Sequence, residues 1–255
     1  MPTAHLTGRL NEVGDLLDYG HGLDVVRDIA PGDPMYAYPG GRELYFIAGP
    51  AALRLIHIAM LAARVDKVES ILDYACGGGR VLRTLAAAFP AASLTACDTW
   101  KEGVDFCADR FGARGVIGGD PQTVDLGGPF DLIWCGSLLT HVDRDAFGDF
   151  LSLFASVLGP GGILVFTTRG RYVVEGLRTG DRLLALNEDQ ASQMLQDYDA
   201  TGFGYYASFS PTHGECVASR SWICDQLESV PALELVLFFE RGWMKAQDAV
   251  ACVKA

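Results

Sequence analysis

Ile71-Leu72-Asp73-Tyr74-Ala75-Cys76-Gly77-Gly78-Gly79-Arg80-Val81-Leu82 is the stretch whose reading decides the fold. A short apolar run ends in an acid, breaks at a Gly-rich turn, and restarts with helical spacing at Val81, Leu82, Leu85 and Phe89. A turn this small lets a ligand approach the main chain, and the helix behind it offers unpaired N–H groups at its start. Asp73, at the strand's end, can accept hydrogen bonds from a ligand amine. The plainer alternative is a βα turn whose glycines serve tight packing, since a lone Gly-rich turn is a weak signal.

Working outward, strand and helix patterns alternate. Ser70–Tyr74 reads as a buried strand, Ser93–Asp98 as a second, and Thr99–Phe111 as a helix. Gly115–Gly118 is a weak third strand, Phe130–Cys135 a fourth, and Asp145–Leu158 the next helix. Gly159-Pro160-Gly161-Gly162 ends that helix before a fifth strand, Ile163–Thr168. This rhythm predicts a parallel sheet covered by helices on both faces. A helix over Ser221–Ser229 then precedes two strands, Leu233–Phe239 and Ala249–Val253, too close in sequence for a crossover helix. They must pair antiparallel, which sets this α/β sheet apart from an all-parallel dinucleotide fold.

Two segments break the rhythm. Residues 1–49, rich in Gly, Pro and Asp, read as an irregular N-terminal arm or lid with a short helix at Met35–Tyr38. The main domain, 50–255, begins with an apolar helix over Pro50–Ala63, with proline near its start. An insertion at about 169–217 interrupts that domain, carrying a polar helix at Glu188–Asp197 and the aromatic run Phe203–Phe209.

Composition narrows the function. With 49% hydrophobic and 20% charged residues, the chain is compact rather than disordered. Its formal charge of −12, with basic residues scattered singly, disfavours a nucleic-acid partner. Seven cysteines with no CxxC pair read as free, mostly buried thiols in a reducing compartment, not a disulfide framework or zinc site. Met1–Leu10 lacks the pattern of a signal peptide, and the 50–63 helix is too short to span a bilayer. The expectation is a cytoplasmic protein with no membrane partner. The 50–63 helix packs either on the sheet or on a second copy of the chain, and periodicity leaves both open.

Asp98 closes the second strand about twenty residues after the turn, placed to hydrogen-bond the ribose hydroxyls of a nucleoside; otherwise it is an exposed strand-end carboxylate. Asp120, in Gly119-Asp120-Pro121, either binds an adenine amino group or starts a turn. Trp134-Cys135-Gly136-Ser137-Leu138-Leu139-Thr140-His141 runs out of a central strand at the carboxyl edge, where open α/β sheets bind ligands. His141 can act as a general base or serve as a packing residue at a helix start. His141, Asp143 and Asp145 can be drawn as metal ligands, but they read better as the acidic start of a helix, so no metal is expected.

Together these residues resemble the class I S-adenosylmethionine-dependent methyltransferases, closely over residues 68–168. Asp73 to Gly79 resembles the family's first motif, an acid followed by Gly-x-Gly-x-Gly, with Ala75 standing where the first glycine is usual. Asp98 matches its ribose-binding acid and Asp120 its adenine-side acid. Phe130–Cys135 and Leu158-Gly159-Pro160-Gly161-Gly162 resemble its fourth strand and the turn before its fifth. The resemblance implies a Rossmann-like seven-stranded sheet with the last strand antiparallel, and S-adenosyl-L-methionine as cofactor. It implies cofactor contacts at Asp73, Ala75, Cys76, Gly77, Gly79, Asp98, Thr99, Asp120, Cys135 and Ser137. The reaction implied is methyl transfer to oxygen or nitrogen of a small-molecule or glycan-type acceptor. The arm and the insertion then build the acceptor pocket, with Tyr36, Tyr38, Tyr45, Phe203, Tyr205, Tyr206 and His213 as aromatic walls and polar handles; the alternative is that they anchor an irregular lid.

Two rival functions remain at this level. A nicotinamide-dependent oxidoreductase wants Gly-x-G-x-x-Gly, which fails at Ala75 and Arg80. A non-catalytic module that keeps the nucleoside pocket differs only in lacking turnover, which fold alone never decides.

Overall fold

The computed structural model describes residues 19–20, 22–38, 40–181, 183–210 and 213–255. The first part of the arm, including Met1–Leu10, lies outside the described residues. Seven strands form one sheet: β1 (Ser70–Tyr74), β2 (Ser93–Asp98), β3 (Arg114–Ile117), β4 (Phe130–Cys135), β5 (Leu158–Thr168), β8 (Leu233–Trp243) and β9 (Gln247–Lys254). Their order is β3-β2-β1-β4-β5-β9-β8. The first five run parallel, and β9 pairs antiparallel with both β5 and β8. Only β9 therefore opposes the rest, as the short link between the last two strands requires. A separate hairpin, β6 (Phe203–Ser210) with β7 (His213–Ala218), lies outside this sheet.

Alternating side chains of the central strands feed two cores. Ile71, Ala96, Leu132, Trp134, Ile163 and Val165 pack on one face, with helix α2 (Gly41–Ala63) and helix α3 (Leu82–Ala88). Leu72, Cys97, Ile133, Leu164 and Phe166 pack on the other, under α5 (Arg144–Val157) and α8 (Arg220–Glu228). Burial on both sides explains why these strands read as continuous apolar runs. Helix α4 (Lys101–Phe111) links β2 to β3.

Three expectations change. Helix α2 begins at Gly41, so Pro50 lies inside it. Proline there forfeits one backbone bond, but Tyr45, Ile47 and Ala48 ahead of it are buried, and that burial extends the helix. Leu44–Ala63 is consequently long and apolar enough to cross a membrane, so the argument from length fails. Ala48, Ala51, Ala52, Leu55, Ile56 and Ala59 of this helix are instead buried in the core beside the sheet. Second, Gly159-Pro160-Gly161-Gly162 does not merely stop a helix: it is the first part of β5, with a register shift between Phe130 and Leu132 opposite it. Third, the insertion is regular. Helices α6 (Arg171–Thr179) and α7 (Glu188–Thr201) and the β6–β7 hairpin share a small core of Val173, Val174, Leu184, Met194 and Val217. The short arm helix α1 spans Pro34–Ala37. All seven cysteines are free, and six are buried.

Candidate functional site

The carboxyl ends of β1 and β2 converge on the Gly-rich turn. Ala75, Gly77 and Gly79 all hold positive φ, at 62°, 53° and 76°. Gly77 and Gly79 adopt this at little cost, whereas Ala75 carries strain of about 1 kcal/mol. A Cβ on Gly77 would meet nothing within 4 Å, so the turn is open to a ligand there. Behind the turn there is no such room: a Cβ on Gly103 of α4 would lie 2.6 Å from the Gly77 carbonyl oxygen.

Asp98 shapes this turn. Its Oδ2 accepts the Gly77 N–H at 2.8 Å and its Oδ1 accepts the Trp100 N–H at 2.9 Å. Each oxygen keeps a further lone-pair site, so the carboxylate is oriented by backbone and still able to accept from a ligand. Asp73 is buried, and its Oδ2 has no hydrogen-bond partner. Burial first, and then the Asp98 charge, push its carboxyl up to about 8, against the opposing pull of Arg80. An orphaned carboxyl oxygen beneath an open Gly-rich turn fits a ligand carrying positive charge.

The arm closes one side. Arg83 is buried and donates to the carbonyls of Val26, Asp28, Gly78 and Gly79. Asp33 caps α1 by accepting the Met35 and Tyr36 N–H groups, and it accepts the Tyr45 hydroxyl at 2.6 Å. Arg83, Asp33 and Arg80, whose guanidinium lies 5.3 Å from the Trp243 ring centre, were not legible as site residues. Arginines directly after a Gly-rich turn are the one local signal for them.

A polar relay crosses the ends of β4, β5 and β9. Thr167 Oγ1 accepts the Ser137 N–H at 2.8 Å and donates to Gln247 Oε1 at 2.6 Å, while Gln247 Nε2 donates to Ser137 Oγ at 2.9 Å. Thr167 is fully buried, so this direction of donation satisfies it, and the hydroxyl proton left over belongs to the half-buried Ser137. The link from Ser137 to Thr167 and Gln247 is not readable from the sequence, because the three meet only through the sheet order.

His141 follows the 3-10 turn Leu138–Thr140 and is held by β7: its Nδ1 lies 2.7 Å from the Gly214 carbonyl oxygen and 3.4 Å from Glu215 Oε2. Its ring stacks on His213 with centroids 5.0 Å apart. Burial, then the Arg169 charge, lower its pKa to about 4, so the ring is neutral at pH 7. Arg169 pairs with Glu215 and donates to the Thr140 carbonyl, tying the insertion to the sheet edge.

Other expected residues fall differently. Asp120 is exposed and starts a turn, accepting the Gln122 N–H at 2.9 Å, and Thr99 is exposed beside Asp98. Cys135 is fully buried among the α5-side residues, so its thiol is a core group and only its backbone reaches the edge. Cys76 is buried beneath the turn. Phe203 is no pocket wall: it stacks on Trp222 at 4.3 Å and packs edge-on to Phe147 in the core. Tyr45 is likewise buried and supports the turn from behind. Tyr36 is half-buried and Tyr38 exposed on the arm, while Tyr205 and Tyr206 are half-buried on the hairpin and His213 is exposed. A separate cavity of about 1070 Å³ lies between α6 and α7, and none of its lining residues comes from the sheet edge. Among the described residues, no group of three or more His, Cys, Asp or Glu is placed to hold a metal.

Comparison with known proteins agrees with this geometry. Residues 71–162 match the family model described as a methyltransferase domain. A ubiquinone biosynthesis O-methyltransferase from Caulobacter sp. (strain K31) is 30% identical over 107 residues, 40% of this chain and 41% of that protein. The match thus spans about two fifths of the curated relative's length. Among solved structures, an S-adenosylmethionine-dependent methyltransferase from Clostridium acetobutylicum superposes with a TM-score of 0.57 at 15% identity, covering 81% of this chain and 92% of that one. The 1,6-didemethyltoxoflavin-N1-methyltransferase of Burkholderia thailandensis, solved with bound 1,6-didemethyltoxoflavin and S-adenosylhomocysteine, gives 0.55 at 16% identity over 86% and 84%. The matched segment runs from β1 through the turn before the main part of β5, and the sheet around it has the seven strands and antiparallel last strand that the resemblance implied: residues 71–162 are similar to a methyltransferase domain, and the chain has the fold of the S-adenosylmethionine-dependent methyltransferases.

Proposed function

We propose that the chain transfers a methyl group from S-adenosylmethionine to an oxygen or nitrogen of a small-molecule or glycan-type acceptor. The observation that carries this reading is the open Gly77 turn with Asp98 locked beside it and the orphaned Asp73 oxygen below. In this reading Asp98 receives the ribose hydroxyls and Thr99 and Asp120 border the base. The main chain of Ala75, Cys76, Gly77, Gly79 and Cys135 follows the amino-acid end. When bound, the cofactor supplies an electrophilic methyl group on a sulfonium sulfur. The protein's work is then to align the acceptor in line and keep water out.

On the acceptor side, Ser137 presents its hydroxyl proton to an acceptor oxygen, its lone pair being fixed by Gln247. His141 donates Nδ1–H to Gly214, which makes Nε2 its basic nitrogen. So weak a base suits a proton lost late, once positive charge has built up on the attacking atom. Tyr36, Tyr38, Tyr205, Tyr206 and His213 line the approach from the arm and the hairpin.

Isothermal titration with S-adenosylhomocysteine and S-adenosylmethionine tests the foundation. Micromolar binding is expected, weakened about 30-fold or more in Asp98→Ala, in line with loss of hydrogen bonds to a charged group. No binding of either ligand sinks the assignment. An acceptor screen that follows S-adenosylhomocysteine release then names the substrate.

A further inference from the structure

We propose that cofactor uptake is proton-linked: the carboxyl of Asp73 holds a proton while the Gly-rich turn is empty and releases it to solvent as the cofactor's ammonium group settles over that turn. This rests on the cofactor reading above. It begins with a discrepancy in the site. An acid expected to meet a cation is sealed from water with one oxygen unpartnered, while its neighbour Asp98 is satisfied by two backbone N–H groups.

The groups around Asp73 explain its state. Asp98, from the end of β2, repels its negative form; Arg80, from the turn, is the cation that opposes this; and the Leu82 N–H at the start of α3 donates to it. The remaining titratable neighbours are thiols, each itself held in its neutral form: Cys76 on the turn first by its hydrogen bond with Cys107 and then by burial, and Cys97 on β2 and Cys135 on β4 by burial and then by the nearby carboxylates. Arg80 is shared with Tyr45 and Asp33, so it does not belong to Asp73 alone. Burial therefore dominates, and the neutral acid is favoured at pH 7, with a pKa of about 8. A cation arriving within a few ångströms reverses that balance. The O–H bond of Asp73 breaks, the proton passes to a water or buffer base, and the carboxylate left behind faces the ammonium group.

Linkage makes the consequence measurable. The cofactor binds the deprotonated form, so affinity rises about tenfold per pH unit below pH 7.5 and flattens above 8. Titration of the whole protein with S-adenosylhomocysteine at pH 7, in phosphate and in Tris, reads proton release from the difference in apparent enthalpy. Close to one proton per site is expected. 5′-Methylthioadenosine, which lacks the amino-acid end, should release none, and Asp73→Asn should bind S-adenosylhomocysteine without release. In case Asp73→Asn does not fold, carboxyl ¹³C resonances of aspartate-labelled wild-type protein provide a second reading: one carboxyl should titrate near pH 8 in the free protein and move below 6 with S-adenosylhomocysteine bound. Binding with equal enthalpy in both buffers, or no aspartate titrating above pH 6.5, overturns the proposal and leaves the cofactor reading standing. Absence of any binding overturns both.

Discussion

The two halves of the proposed site are built by different means. The cofactor half, from β1 to β3, is a backbone device: a turn with positive φ at Ala75, Gly77 and Gly79, bounded by a short acid at each strand end. The half proposed for the acceptor is a side-chain device, assembled from segments far apart in sequence. Arg169 meets Glu215, Arg83 holds Val26 and Asp28, and Thr167 meets Gln247. A backbone device writes itself into local sequence as glycines and strand-end acids. A side-chain device leaves only scattered polar residues whose partners the topology supplies.

The largest test of this contrast is Phe203→Ala. Phe203 sits in the insertion yet belongs to the main core with Trp222 and Phe147. Truncation should cost about 3–5 kcal/mol of stability in denaturant unfolding, with S-adenosylhomocysteine affinity unchanged. Tyr206→Ala, on a half-buried hairpin position, should cost about 1 kcal/mol or less. Equal costs for the two would mean that the insertion does not share the main core.

A smaller effect comes from pH. The His141 pKa is lowered to about 4 from an ordinary 6.5, so between those values the unfolded chain binds a proton that the native ring refuses. The contribution of the neutral ring is complete above 6.5 and is lost as pH falls toward 4. Asp73 at about 8 and Asp248 at about 6 run the other way: the contribution of their native protons is complete below the ordinary 3.8 and is lost as pH rises from there through the raised values. Comparing wild type with His141→Gln from pH 7 to 4.5 cancels both carboxyls. Wild type should lose on the order of 1–2 kcal/mol relative to the variant. A flat difference would show that His141 is not held neutral by the insertion.

The same contrast sets how much was legible. Ser70–Tyr74, Ser93–Asp98 and Phe130–Cys135 are strands at the expected bounds, because strands buried on both faces are unbroken apolar runs with sharp polar ends. The antiparallel β9 followed from link length alone. Helix α2 starts nine residues ahead of Pro50, because burial of Tyr45, Ile47 and Ala48 outweighs the local preference of proline for a helix start. The aromatic run Phe203–Phe209 did not announce strand β6, since its partner strand β7 and the Met194 backbone against Gly204 are both tertiary features. Thr167 and Gln247 lie eighty residues apart in sequence, and no local pattern joins them.

Ala75→Gly should give the smallest effect, and it sharpens the comparison most. Position 75 has φ 62°, a left-handed conformation that glycine adopts freely and alanine does not. Replacing alanine relieves about 1 kcal/mol of native strain, while the extra freedom of glycine in the unfolded chain takes back a similar amount. Stability should therefore move by less than about 1 kcal/mol. If the cofactor half depends on backbone shape alone, Ala75→Gly keeps that shape, and S-adenosylhomocysteine affinity should stay within about twofold of wild type. A tenfold gain would instead mean that the Ala75 methyl group stands in the ligand's path. The cofactor half would then also be tuned by a side chain, and the division between its two building methods would fail at the residue where this chain departs from the methyltransferase motif it resembles.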